Sequence, residues 1–171
     1  MMRCVLTALF IFVAFPGPVL ASHTHESTNG LSRGADVKIP AAARNAVATV
    51  DRFTAALSAG DLSAVAAELD PDLLVLESGG AERSAAEYLG EHAKADAAFL
   101  KSAQHQLLRR VAHASGDFAW VASESELQVQ KNGRPATVLN TETMVLQRRP
   151  AGWKIVHIDW SSRVASPSSA R

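Results

Sequence analysis

The stretch that follows His105 constrains the fold most. Residues 106–114, 118–130, 137–149 and 153–161 read as strands rather than helices. Asn132-Gly133 lies between the second and third segments. This dipeptide is a strong hairpin signal, because the favoured two-residue turns need a left-handed backbone at their centre. Pro150-Ala151-Gly152 separates the third from the fourth and is a second turn. Long strands joined by such short turns predict an antiparallel meander.

The preceding part of the chain is helical in pattern. Over residues 41–59, Val47, Val50, Phe53 and Leu57 recur at helical spacing and form one apolar face, and Gly60 is a natural stop. Asp61 caps a second, short helix carrying Leu62, Val65 and Leu69, ended by Asp70-Pro71-Asp72. Residues 73–76 are a short apolar run, expected to be a buried strand that ends at Glu77 before the turn Ser78-Gly79-Gly80. Ser84 followed by Glu87 is a capping box that predicts a third helix over 85–101. The order is helix, helix, strand, helix, then four strands. It implies an α+β fold in which three helices pack on one face of a cone-shaped, curved antiparallel sheet. Such a sheet closes imperfectly over its helices, and the gap is a natural pocket.

The N-terminus has the order of a secretory signal. Arg3 is followed by an apolar run, then Pro16-Gly17-Pro18, then small residues up to Ala21. The apolar run is too short to span a bilayer. The expected organisation is a signal peptide over 1–21, a disordered leader over 22–40, a pocket domain over 41–163 and a flexible tail over 164–171. Cys4 is the only cysteine, so the mature chain would form no disulfide even in the periplasm or outside the cell. His23 and His25 sit in the leader, where two solvated histidines are commoner than a metal-binding tail. Seventeen basic and seventeen acidic residues balance, and no basic stripe points to nucleic acid. No apolar segment after Ala21 calls for a membrane, and no motif calls for a metal or cofactor.

Two stretches resemble a known superfamily. Arg52-Phe53-Thr54-Ala55-Ala56-Leu57-Ser58-Ala59-Gly60-Asp61-Leu62 is similar to the opening helices of ketosteroid isomerases and SnoaL-like proteins. Glu142-Thr143-Met144-Val145-Leu146 and Gly152-Trp153-Lys154-Ile155-Val156-His157-Ile158 resemble their last two strands, and those of the calcium/calmodulin-dependent kinase association domain. The resemblance covers roughly 41–163 and implies the nuclear transport factor 2-like fold, which serves isomerases, dehydratases, binding modules and assembly modules. In ketosteroid isomerases a first-helix tyrosine and an aspartic acid on the penultimate strand donate to an oxyanion, and an aspartate after the first strand is the base. The matching positions are Phe53, Glu142 and Glu77. Two keep a carboxyl group, while the missing hydroxyl at Phe53 argues against an ordinary ketosteroid isomerase.

The residues themselves suggest what those positions can do. Glu77, at the end of an apolar strand, is a candidate general base, because desolvation raises a carboxylate's proton affinity. Glu142 alternates with Met144 and Leu146, so an inward Glu142 is a candidate neutral donor. The alternatives are that Glu77 caps a loop and that Glu142 pairs with Arg109 or Arg110. Tyr88 and His92 are four apart on one helix face, either in the pocket or at the edge of the core. On the last strand, Trp153, Ile155, His157 and Asp159 alternate with Val156, Ile158 and Trp160. His157 and Asp159 are an acid–base pair if they face inward, and belong to a polar interface if they face outward. The expected ligand site comprises Phe53, Tyr88, His92, Met144, His157, Asp159 and Trp160. Three functions follow: binding of a small, largely apolar molecule; proton-transfer catalysis through Glu77, as an isomerase or lyase; or assembly, with the outer sheet face forming a homodimer.

Overall fold

The computed structural model describes residues 35–131 and 133–165. The expected signal peptide, and the leader up to Gly34, lie outside the described residues, as does the tail beyond Ala165. Seven strands form one sheet in the order β1-β4-β5-β6-β7-β2-β3. In chain order these are β1 (Asp36–Lys38), β2 (Leu69–Glu77), β3 (Gly80–Glu82), β4 (Gln104–Ser115), β5 (Phe118–Lys131), β6 (Arg134–Arg149) and β7 (Gly152–Val164). The helices are α1 (Arg44–Ala59, entered through a 3-10 turn), α2 (Leu62–Glu68), α3 (Ala85–Gly90) and α4 (His92–Ser102).

Local chemistry explains the helices. The inner face of α1 buries Ala46, Val47, Val50, Phe53, Ala56 and Leu57. Gly60 ends it in the left-handed conformation at φ 76°, which costs a residue without Cβ nothing. The Asp61 carboxylate accepts the Ala64 N–H at 3.0 Å and starts α2. The Ser84 hydroxyl accepts the Glu87 N–H, and the Glu87 carboxylate turns back to accept the Arg83 N–H. The single helix expected over 85–101 is two. The chain leaves helical geometry at Glu91 (φ −127°), directly after Gly90, whose backbone freedom makes it a poor helix former.

Three departures concern the sheet. β2 begins at Leu69, so Asp70-Pro71-Asp72 lies inside the strand instead of ending a helix. There the pairing with β7 jumps from Leu69↔Ile155 to Leu74↔His157. Pro71 has no N–H to give the ladder, and this irregularity accommodates it. Buried Asp70 is held by Arg149 Nε at 2.7 Å. The sheet is mixed, not purely antiparallel: β4 to β7 form the expected meander, but β2 runs parallel to β7 and β1 parallel to β4. Finally, Asp36–Lys38 is an edge strand where a disordered leader was expected.

A bulge in β7 decides which side chains face the helices. Leu146 pairs with Ile155 and Val145 with His157, so Val156 is the extra residue. An extra residue shifts the period-two alternation by one. Trp153, Ile155, Ile158 and Trp160 therefore all turn inward, and the simple alternation expected for this strand is wrong. A second bulge at Leu108 keeps His105, Leu107 and Arg110 on the inner face of β4, opposite Leu127, Ser125 and Ser123. The core lies between this concave face and the helices, built around Phe53, Leu57, Leu73, Met144, Ile155 and Ile158.

Candidate functional site

One inward row crosses five strands. Arg110 faces Ser123, Ser123 faces Glu142, Glu142 faces Trp160, and Trp160 faces Glu77. Arg110 Nε donates to the Ser123 hydroxyl at 3.1 Å, and that hydroxyl lies 3.4 Å from Glu142 Oε1. The Trp160 indole N–H donates to Glu142 Oε2 at 2.9 Å. Glu142 is thus linked to Arg110 through a serine rather than paired with it directly, and Arg110 makes its ion pair with Asp51 of α1.

At the Glu77 end of the row, α3 and α4 supply the rest of the site. His92 lies between carboxylates, with Nε2 3.1 Å from Glu77 and 3.5 Å from Asp96, and Nδ1 2.8 Å from Glu82. The hydrogen bond to Glu77 and the neighbouring charges of Asp96 and Glu82 overcome partial burial and push its pKa up to about 9. At neutral pH it is an imidazolium donating from both nitrogens. Burial pushes the Asp96 carboxyl up to about 6, helped by the charges of Glu77 and Glu82 and opposed by His92 and Tyr88. Fully buried Tyr88 donates its hydroxyl to Asp96 Oδ2 at 3.0 Å, and burial raises the phenol well above its usual range.

Of these groups, Glu77, Asp96, Glu142 and Trp160 border a cavity of about 120 Å³ between α1, α4 and the concave sheet. Its apolar wall includes Phe53, Leu57, Phe99, Leu100, Leu127 and Val138, and its polar wall Glu77, Asp96, His105, Asn140, Glu142 and Trp160. The Phe53 and Trp160 rings stack with centroids 6.4 Å apart, and Tyr88 packs against Trp160 at 6.1 Å and against His92 at 5.5 Å. Partial desolvation holds the His105 imidazole below its usual pKa. Glu77, His92 and Asp96 each present a ligand atom within 4.8 Å of the other two. Among the described residues that is the one grouping with metal-ligand spacing, although an imidazolium has no lone pair to give a metal.

Of the residues expected to form the site, Phe53, Glu77, Glu142 and Trp160 meet in this cavity. Tyr88 and His92 stand behind its wall and act on it through Asp96 and Glu77. Met144 is fully buried in the core beneath and does not line the cavity. His157 and Asp159 are corrections: the Val156 bulge turns both to the outer face, where His157 Nδ1 meets the Leu74 carbonyl at 2.9 Å and Asp159 is exposed. Asp96, Glu82 and His105 went unrecognised in the sequence. A signal for Asp96 existed, since Tyr88, His92 and Asp96 are spaced four apart. Glu82 reaches the site through the tight β2–β3 hairpin, and His105 through the pairing of β4 with β5.

The comparisons agree with this architecture. The SnoaL-like domain family matches residues 46–165. A candidate ketosteroid isomerase from Shewanella frigidimarina NCIMB 400 is 31% identical with a TM-score of 0.66, over 74% of this chain and 100% of that one. A candidate calcium/calmodulin dependent protein kinase II association domain from Xanthomonas campestris shares the fold at 24% identity and a TM-score of 0.59, over 81% and 99% of the two chains. A candidate dehydratase of the nuclear transport factor 2-like family from Streptomyces avermitilis shares it at 18% identity and a TM-score of 0.57, over 71% and 95%. A comparison with curated proteins found no match. Its mixed sheet curved over helices and its matched length make this chain a member of the SnoaL-like domain family, with the nuclear transport factor 2-like fold.

Proposed function

We propose that the chain is an exported pocket protein that binds a small, largely apolar organic molecule between α1, α4 and the concave sheet. The observation that carries this reading is one cavity with an aromatic and aliphatic wall and a few convergent polar groups, Glu77, Asp96 and Glu142. That is the usual make-up of a small-molecule site. Native mass spectrometry of protein purified from its own host tests it. A retained organic ligand lost in a Phe53→Ala or Trp160→Ala variant is the expected result, and a ligand retained equally by both variants refutes the site. Export is tested by N-terminal sequencing of the mature chain: a start at Ser22 supports it, and a start at Met1 or Met2 refutes it.

A second reading, proton-transfer catalysis as an isomerase or dehydratase, is favoured by the convergence of Glu77 with Asp96 on the cavity. The Glu77 carboxylate takes a proton from a carbon beside a carbonyl. Below about pH 6, Asp96 holds a proton and donates a hydrogen bond to the carbonyl oxygen as it gains charge. A Glu77→Gln variant that still binds the retained ligand but no longer converts it supports turnover. Equal conversion by the variant refutes it.

The outer sheet face suits a homodimer. Trp120 faces His113 and Val145 there, Val145 faces His157, His157 faces Leu74, and Phe118 is 53% exposed nearby. The likeness to a kinase association domain supports assembly through this fold. A sedimentation mass of one chain at tens of micromolar refutes the dimer.

A further inference from the structure

The charge of the cavity wall narrows the class of ligand, an inference that rests on the binding function proposed above. Three lining residues carry carboxyl groups, Glu77, Asp96 and Glu142, and among the described lining residues none is lysine or arginine. The nearest cations are already occupied. Arg110 is held by Asp51 and the Ser123 hydroxyl, and His92 is shared by Glu77, Glu82 and Asp96. Desolvation, helped by the Arg110 charge and opposed by Glu142, holds His105, the one imidazole in the lining, below its usual pKa. Around His92 alone, three carboxyl groups face one positive ring, and Glu142 has only the neutral donors Trp160 and Ser123. The cavity therefore carries negative charge that its own walls do not balance.

The remaining lining is aromatic and aliphatic. Phe53, Phe99 and Trp160 bring three rings to a space that also contains the carboxyl groups. Aromatic faces attract cations, and carboxylates in a partly desolvated wall attract them more strongly. A carboxylate or phosphate ligand meets repulsion from the same groups. We propose that this cavity selects an organic monocation, an amine on a compact apolar body, with the ammonium directed at Glu142 and Glu77 and the body against Phe53, Phe99 and Leu57. A divalent metal is the rival cation. Glu77, His92 and Asp96 have the spacing for it, but His92 donates to carboxylates from both nitrogens and would have to lose a proton to ligate.

The test is isothermal titration calorimetry with three probes that share one ring and differ in charge: benzylammonium, benzyl alcohol and benzoate. Benzylammonium is expected to bind at least about tenfold more tightly than benzyl alcohol, and benzoate more weakly than either. Glu142→Gln should weaken benzylammonium about tenfold and leave benzyl alcohol within about twofold. Asp96→Asn is the second variant if Glu142→Gln fails to fold, with the same preference for loss of the cation. Benzyl alcohol or benzoate binding as tightly as benzylammonium overturns the cation assignment while the pocket function stands. Zn²⁺ binding at micromolar concentration without any benzylammonium binding overturns it in favour of a metal. Failure of all three probes, together with no retained ligand in native mass spectrometry, overturns both the assignment and the pocket function.

Discussion

Trp160 and Glu142 face each other across β7 and β6, and the indole N–H donates to the carboxyl oxygen at 2.9 Å. The same indole stacks on Phe53, so one side chain ties the polar row of the sheet to the apolar face of α1. Trp160→Phe keeps most of the stacking surface but leaves Glu142 Oε2 without this donor. A loss of about 1–3 kcal/mol is expected in urea denaturation, the usual cost of stranding a partly buried polar group. Trp160→Phe combined with Glu142→Leu should recover part of that loss, because the stranded acceptor is gone. A strictly additive double-mutant cycle would show that the bond contributes nothing.

The Val156 bulge makes opposite demands on neighbours one residue apart. Ile158 is fully buried and Asp159 is exposed. Ile158→Ala should cost about 2–5 kcal/mol and Asp159→Ala about 0.5 kcal/mol or less. Deletion of Val156 should leave Trp153, Ile155, Ile158 and Trp160 inward in plain alternation, because Ile155 then adjoins His157, and the folded state should survive by circular dichroism. Loss of the folded state on this deletion contradicts the assignment of Val156 as the extra residue.

Tyr88 holds Asp96 from the protein side. Its hydrogen bond stabilises the ionised carboxylate and so opposes the upward push of burial. Tyr88→Phe should move the Asp96 pKa above its value of about 6, measurable by carboxyl-carbon NMR titration. An unchanged or lower value would show that the hydroxyl does not act on Asp96.

His92 sets the alkaline limb of stability. Its folded pKa of about 9 lies above the ordinary histidine value, so the folded state holds the proton more tightly than the unfolded chain. That contribution is complete below about pH 6.5 and is lost as pH rises through about 9. Tm should fall across this window in the parent protein, and the fall should be smaller in His92→Gln. Asp96 has the same sign at lower pH: its raised pKa makes ionisation between about pH 4 and 6 destabilising, a loss that Asp96→Asn removes.

Much of this was legible in the chain. The apolar spacing of Val47, Val50, Phe53 and Leu57 marked the inner face of α1, and Gly60, Asp61 and Ser84 acted as helix signals because their effects are local. Phe53, Glu77, Glu142 and Trp160 were also marked, and they do meet at the cavity. The helix break at Glu91 was missed because a single glycine only weakens a helix, and tertiary packing decides whether it ends there. Glu82 and His105 were missed because β3 reaches the site only by pairing with β2, and His105 faces inward only by virtue of the Leu108 bulge.

The sequence by itself determined the α+β order, the meander and the family, since turn chemistry, capping and hydrophobic period act within a few residues of one another. Tertiary structure alone decided the inward face of β7, the parallel docking of β2 on β7 and the carboxyl groups around His92. The first two depend on register between strands far apart in sequence, and the third on how His92 docks against the β2–β3 hairpin. A one-residue shift exchanges the two faces of a strand, and no local propensity encodes it.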